Sequence, residues 1–282
     1  MFVLGNSYVL FKKIVSLVSA IMLLVVGASE KNLPDPDGAE IIGRNRYVHT
    51  DYNITSQGVT NDGEYYYFSG NSNIGKADME TGEIFRVNIS AIPEELKAVN
   101  CNHIGGLSYY NGYIYAAVED GSEYLNPYIV LYDAETLEYT GIYYELPQEI
   151  HINGVPWCAI DVERGYLYTA EWEHTDELNV FNLNDMTFVK NVPFSQTIER
   201  IQGCEMFGGK LYMSTDVDDE KTIYSLDVET GNIETAFTRN VGSEFEAEGM
   251  TVYADENGDP VFCVLDRGAD RYSTNLTFYK II

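Results

Sequence analysis

Apolar and polar residues alternate along this chain in short runs with a period of two, and the runs come in sets. Residues 103–137 show one set clearly. Gly105-Gly106-Leu107 opens a strand, Asn111-Gly112 turns it, and Tyr113-Ile114-Tyr115-Ala116 begins a second strand. A loop follows, and a third run closes in Asp133-Ala-Glu-Thr-Leu137. The pattern predicts strand, tight turn, strand, loop, strand, and then a second tight turn into a fourth strand.

The same set is written five times. First strands open at Gln57-Gly58-Val59, Gly105-Gly106-Leu107, Cys158-Ala159-Ile160, Gln202-Gly203-Cys204 and Glu248-Gly249-Met250. The third opening is the least regular, and Gly154 with Pro156 predicts an extended approach to it. Asn111-Gly112, Arg164-Gly165, Gly208-Gly209 and Asn257-Gly258 supply turns in which glycine accepts positive φ. Asp78-Met-Glu-Thr-Gly82, Asp133-Ala-Glu-Thr-Leu137, Asn182-Leu-Asn-Asp-Met186 and Asp227-Val-Glu-Thr-Gly231 mark the second turn, where Asp and Thr side chains bond nearby backbone amides.

Four antiparallel strands every ~45 to 50 residues are the signature of a propeller blade. The fold expected is therefore all-β: a five-bladed β-propeller of four-stranded antiparallel blades. The fifth set lacks a fourth strand, whereas residues 40–48 form a strand with no hairpin partner. That strand is expected to complete the last blade and remove two exposed edges. Six blades is the alternative, if residues 51–53 hide a further element. A short helix over 91–99, with Pro93 near its first turn, is the one helical segment expected in the domain.

The turn sequences resemble those of exported YVTN and quinoprotein-like propellers. Ile54-Thr-Ser-Gln57-Gly58-Val59 is similar to the Thr-Gln-Gly-Leu opening of glutaminyl cyclotransferase-type propellers, which have five blades. That resemblance implies the fold over residues 40–282, and metal-free acid/base chemistry as one functional expectation. Lactonase-type propellers are similar in pattern but have six blades.

Composition sharpens the picture. The 45% apolar content, with 23 Tyr and 12 Phe, is ample for a buried core, and 24 Gly against 8 Pro suits strands and tight turns. A formal charge of −27, from 17 basic and 44 acidic residues, argues against nucleic acid and anionic lipid as partners. Cations, sugars and basic peptides are electrostatically easier; an acidic surface also simply aids solubility. Lys12-Lys13 followed by an apolar run over 14–26 and Gly27-Ala28 predicts a signal peptide over 1–28. A polar leader over 29–39 then enters a single domain over 40–282, in a secreted or extracytoplasmic protein with no stable membrane span after cleavage. An uncleaved N-terminal anchor is the alternative. Of the four cysteines, Cys101 and Cys158 are the pair expected to bond if any do, and Cys204 and Cys263 read as buried thiols. Three N-x-S/T sites, at Asn53, Asn88 and Asn275, matter only in a glycosylating host.

Propeller topology places the long, varied loops at one end of the axis, and binding residues belong there. Blade by blade that mouth presents Thr55, Gln57 and Asn71; His103, Glu119 and Asp120; Trp157, Glu171, Glu173 and His174; Arg200, Gln202 and Asp216; and Glu246, Glu248, Asp266 and Arg267. Three uses compete. A small polar ligand, a sugar or peptide, would engage Gln57, His103, Arg200 and Glu248 and stack on Trp157. A hard cation such as Ca²⁺ would take oxygens from Glu119, Glu171, Asp216, Glu248 and Asp266. An enzyme would draw acid and base from Glu119, Glu171, His103 and His174. A protein-interaction platform is a further alternative. Each residue also has a plain structural use: carboxylates cap strand ends, arginines neutralise them, and Trp157 packs between blades. No G-x-S-x-G, H-E-x-x-H, Walker A or dinucleotide fingerprint is present.

Overall fold

Five separate four-stranded sheets are arranged around one axis in the computed structural model, which describes residues 36–48, 52–268 and 272–282. Blade 1 contains β2 (Val59–Asn61), β3 (Tyr65–Gly70), β4 (Asn73–Asp78) and β5 (Ile84–Asn88). Helix α1 (Glu94–Lys97) follows, and then blade 2 with β6 (His103–Tyr110), β7 (Tyr113–Glu119), β8 (Tyr128–Asp133) and β9 (Tyr139–Glu145). Blade 3 is β10 (Ala159–Asp161), β11 (Tyr166–Thr169), β12 (Thr175–Asn182) and β13 (Phe188–Ile198). Blade 4 is β14 (Ile201–Phe207), β15 (Lys210–Thr215), β16 (Glu220–Leu226) and β17 (Ile233–Asn240).

Blade 5 draws on both ends of the domain. Its strands β18 (Glu246–Ala254), β19 (Pro260–Arg267) and β20 (Ser273–Ile281) are completed by β1 (Ala39–Val48), which pairs antiparallel with β20. Just before β1, Asp37 bridges the backbone of Thr238 in blade 4. The closing strand is thus the one expected from residues 40–48. Five sheets, rather than six, form among the described residues. The expected signal peptide and most of the leader lie outside those residues, as does Asp51. Among the described residues no helix is long and apolar enough to cross a membrane.

The turn chemistry follows the sequence. Oδ1 of Asp133 accepts from the Thr136 amide at 2.8 Å and its hydroxyl at 2.9 Å; Asp78 repeats this with Thr81. These bonds hold both carboxyls below the usual range. Where Gly82 and Gly231 close the first and fourth copies, Leu137 and Met186 close the second and third at φ 63° and 55°. Leu137 is buried between blades 1 and 2 and Met186 between blades 2 and 3, so apolar burial offsets a left-handed backbone.

Five apolar clusters fill the five gaps between neighbouring blades. Ile104 and Leu107 pack with Tyr67 between blades 1 and 2, and Cys158 and Leu167 with Tyr115 between 2 and 3. Trp157 and Tyr168 pack with Ile201 between blades 3 and 4, and Phe237 with Phe262 and Ala39 of β1 between 4 and 5. Tyr47 of β1 joins Tyr66 and Leu276 between blades 5 and 1. Near the axis the inner strands approach through glycine. A Cβ on Gly249 would stand 2.7 Å from Gly58 Cα, and one on Gly58 2.7 Å from Gly105 O. Blade 3 departs from this rule with Trp157-Cys158.

All four cysteines are buried free thiols, which corrects the expected Cys101–Cys158 bond. Cys101 Sγ faces the Asn126 carbonyl beside the blade 1–2 core, and Cys158 Sγ faces the Tyr115 carbonyl between blades 2 and 3. They belong to different gaps between blades.

Candidate functional site at the axial mouth

Strand register gathers the predicted residues at one end of the axis. His103 stands opposite Glu119, Ile201 opposite Thr215, and Glu246 opposite Arg267. The Asn111-Gly112 and Asn257-Gly258 turns occupy the other end. The mouth loops hold Tyr124, His174, Arg200 and Asp218 at positive φ, a backbone that L residues adopt at a cost of about 1 kcal/mol.

Two of the candidate acids fasten one blade to the next. Glu119 Oε2 accepts from the Val155 amide at 2.6 Å, joining blade 2 to blade 3. Asp216 Oδ1 accepts from the Ala247 amide at 2.9 Å, joining blade 4 to blade 5. At the matching places in blades 1 and 3, backbone carbonyls do the same work: Asn71 O accepts from Ile104 N and Trp172 O from Ile201 N. Asp216 also takes Lys221 Nζ at 2.6 Å and Arg200 Nη2 at 2.7 Å. Burial would raise its pKa, but Lys221, the Ala247 amide and Arg200 together hold it below the usual carboxylate range.

The other candidates are placed as follows. Asp266 is a buried partner of Arg239, which donates from Nη1 to both carboxylate oxygens at 2.7 and 2.9 Å. Glu171 Oε1 accepts from the Asn153 amide, within its own blade. His174 is exposed and bonds Glu199 through Nδ1 at 2.7 Å, on the rim. His103 lies across two blades, with Nε2 2.8 Å from Gln57 Oε1 and Nδ1 3.3 Å from Glu119 Oε1. Gln202 is half-buried.

The carboxylates expected for a cation are not gathered around one point. Among the described residues no group of three or more His, Cys, Asp or Glu is arranged to hold a metal ion. Glu119, Asp216 and Asp266 are already engaged by a backbone amide, by Lys221 and Arg200, and by Arg239. The expectation for Trp157 is corrected. It is fully buried in the blade 3–4 core and offers no face for stacking. The half-buried Trp172, in Glu171-Trp-Glu-His174, is the indole of the mouth, with the Arg200 guanidinium 4.8 Å above its ring. Its position between three predicted residues was the available signal.

Glu248 differs from every other acid of the mouth. It lies on the inner strand of blade 5 at 2% exposure, and its Oε1 has no hydrogen-bond partner. Arg267 Nη1 stands 3.9 Å from that oxygen, while the same nitrogen bonds Glu246 Oε2 at 3.4 Å. Burial and then the Glu246 charge push the Glu248 carboxyl well above its ordinary range; Arg267 and Arg200 oppose this, and Asp216 reinforces it. Arg200 Nε and Arg267 Nε are also buried without partners. Unsatisfied donors and an unsatisfied acid therefore share the blade 4–5 side of the mouth.

Deeper on the axis lies an acid that the sequence reading did not single out. Glu205 of β14 accepts at Oε2 from Thr251 at 2.9 Å and from Thr60 at 3.3 Å. Burial pushes its carboxyl up to about 7 despite those two hydrogen bonds. Its signal was a charge in Gly203-Cys-Glu-Met206, where the other inner strands carry Thr60, Ser108, Ile160 and Thr251. A cavity of about 390 Å³ lies away from the mouth, near the opposite end between blades 3 and 4. Arg164 on its lining is already bound to Glu229 and Asp161, so it adds little free charge.

Comparison with known proteins gives one family. A family model described as "Repeat of unknown function (DUF6923)" matches residues 94–259, more than half of the chain. No curated protein sequence matches. Among solved structures, hydrazine synthase of Kuenenia stuttgartiensis is similar at 11% identity and a TM-score of 0.43, over 87% of this chain and 59% of that one. The chain therefore spans less than two thirds of that protein's length. A nidogen/laminin complex is similar at 11% identity and a TM-score of 0.49, over 84% of this chain and 88% of the other. A mitotic checkpoint complex is similar at 11% identity and a TM-score of 0.44, over 93% and 98%.

Proposed function

The chain belongs to the family described as a repeat of unknown function (DUF6923), and from that premise we propose that it is a binding propeller whose axial mouth takes a small polar ligand, a sugar or a peptide. The observation that carries this reading is Glu248. A buried carboxyl with an oxygen that nothing satisfies costs about 1–3 kcal/mol, and such groups cluster where a ligand supplies the missing partner. Arg200, stacked on Trp172 and held by Asp216, supplies a positioned donor on the same side. Export is part of the proposal, because residues 1–28 have the layout of a signal peptide; N-terminal sequencing of the mature chain tests it.

Calorimetric titration with a panel of monosaccharides, amino sugars and short peptides tests the mouth. The expected result is binding by wild type that weakens at least tenfold in Arg200→Ala and Trp172→Ala and persists in Lys190→Ala, on the opposite side. Binding unaffected by both mouth variants would move the site elsewhere.

An enzymatic use of the same mouth, as a hydrolase, lactonase or glutaminyl cyclotransferase-like protein, is the second reading. It is favoured by His103, which stands between Gln57 and Glu119. Turnover of a lactone, ester or N-terminal glutamine substrate that disappears in His103→Ala would support it. Glu119→Gln is a poorer probe, because Glu119 also holds the Val155 amide.

A further inference from the structure

We infer that the ligand of the mouth carries an ammonium group, and that Glu248 is the seat of that group. The inference rests on the mouth being a ligand site and adds the chemical class. Glu248 is enclosed on the inner strand of blade 5, with Oε1 unpartnered. A neutral hydroxyl would satisfy that oxygen with one hydrogen bond. An ammonium satisfies it with a charge-assisted bond and also supplies the counter-charge that burial denies the carboxylate.

The charges around the carboxyl leave room for one cation. Glu246 flanks it on the same strand and Arg267 on β19. Blade 4 contributes Asp216 and Arg200, with Lys221 neutralising Asp216 and Glu173 4.0 Å from Arg200. Arg267 is shared with Glu246 and stays 3.9 Å from Glu248 Oε1, so it does not replace a direct partner. The formal charge of −27 draws cations towards the protein and repels anions at long range.

The proton balance follows. In the free protein burial, and then the Glu246 charge, favour the neutral form of Glu248. When an ammonium arrives, the carboxyl O–H bond breaks, the proton passes to solvent, and the carboxylate accepts from the ammonium N–H. Binding is therefore coupled to release of about one proton, and affinity rises with pH below the carboxyl's own pKa.

Matched probes test this on the intact mature chain. Glucosamine, spermidine and triglycine amide are titrated against N-acetylglucosamine, triacetylspermidine and N-acetyltriglycine amide, in buffers of different ionisation enthalpy. The expected result is at least tenfold tighter binding of at least one free amine than of its acetylated form. Its heat should vary with the buffer, and the affinity of spermidine, whose amines stay charged around neutral pH, should rise with pH. Glu248→Gln should abolish the amine preference, with the fold checked by far-ultraviolet circular dichroism; the buffer dependence needs no variant. Equal binding of free and acetylated probes overturns the inference but leaves the mouth as a ligand site if Arg200→Ala still weakens it. Binding of no probe, neutral or amine, overturns both.

Discussion

Arg267 Nη1 stops 3.9 Å from Glu248 Oε1 and bonds Glu246 instead, so that oxygen of a buried acid is left without a hydrogen-bond partner. The sign of its effect on stability is set by its raised pKa. Above the unfolded value the unfolded chain gives up this proton while the folded protein keeps it. Stability therefore falls as pH rises from the acidic range, until the folded carboxyl also ionises. Glu248→Gln removes that linkage without changing shape. The variant is expected to be more stable than wild type at neutral pH by about 1–3 kcal/mol and to lose the advantage near pH 4. Urea melts at both pH values check it; a variant less stable at neutral pH would contradict an unpartnered acid.

Glu205 gives a second window, lower on the axis. Its carboxyl moves from 4.5 to about 7 on folding, so its contribution declines as pH rises between those two values and is flat above. Glu205→Gln keeps an acceptor for Thr251 and Thr60 and abolishes the decline. At pH 8 the variant is expected to gain on the order of 3–4 kcal/mol, from a shift of this size at about 1.4 kcal/mol per unit. Glu205→Leu, which leaves both hydroxyls without their acceptor, should gain less. Chemical denaturation from pH 4 to 8 separates the two, and parallel pH profiles of wild type and Glu205→Gln would exclude the linkage.

The repeat was legible because its turns have their own chemistry. Asp133 with Thr136 and Asp78 with Thr81 bond as their sequence predicts, and they fix where each blade begins and ends. The unpaired strand at 40–48 could then be assigned to blade 5 by counting edges. The mouth was legible as a region, and less so residue by residue. Trp157 was placed there by its position at an inner-strand opening, but it packs on Ile201 of the next blade, where neighbouring Gly106 leaves it room. The cations that neutralise Asp216 and Asp266 are Lys221, across a hairpin loop of the same blade, and Arg239, near the end of the outer strand of blade 4 and facing blade 5. The Arg239–Asp266 pair depends on how blades 4 and 5 face one another, which strand periodicity does not encode.

Asp216 carries a prediction that distinguishes fastening from ligand binding. It holds the Ala247 amide, Lys221 and Arg200 at once, across blades 4 and 5. Asp216→Ala leaves Lys221 buried and unpaired, so a loss of about 3–5 kcal/mol is expected. Glu171→Ala breaks one bond, to the Asn153 amide, in a half-buried place and should cost about 1 kcal/mol. Thermal melting of both proteins without ligand checks the order. Equal losses would mean that Asp216 does not fasten the blades.

The axis itself sets the last prediction. Gly249 Cα approaches the inner strand of blade 1 so closely that an added Cβ would lie 2.7 Å from Gly58 Cα and 2.8 Å from the Gln57 carbonyl oxygen. These are backbone atoms of a strand held by its own hydrogen bonds, including Gly249 N–H to Gln57 O at 2.7 Å, and they cannot swing aside as a side chain would. Gly249→Ala must therefore push blades 5 and 1 apart, stretching that bond and shifting Glu248, the residue before it. A loss of about 2–3 kcal/mol is expected. Gly112→Ala, in a turn with φ +82° and nothing within 4 Å of the added carbon, should lose about 1 kcal/mol from backbone strain alone. Ligand titration adds the second readout. Gly249→Ala should weaken binding at the mouth, and Gly112→Ala should leave it intact. If Gly249→Ala is no more costly than Gly112→Ala, the inner strands do not meet through glycine as the structure has them.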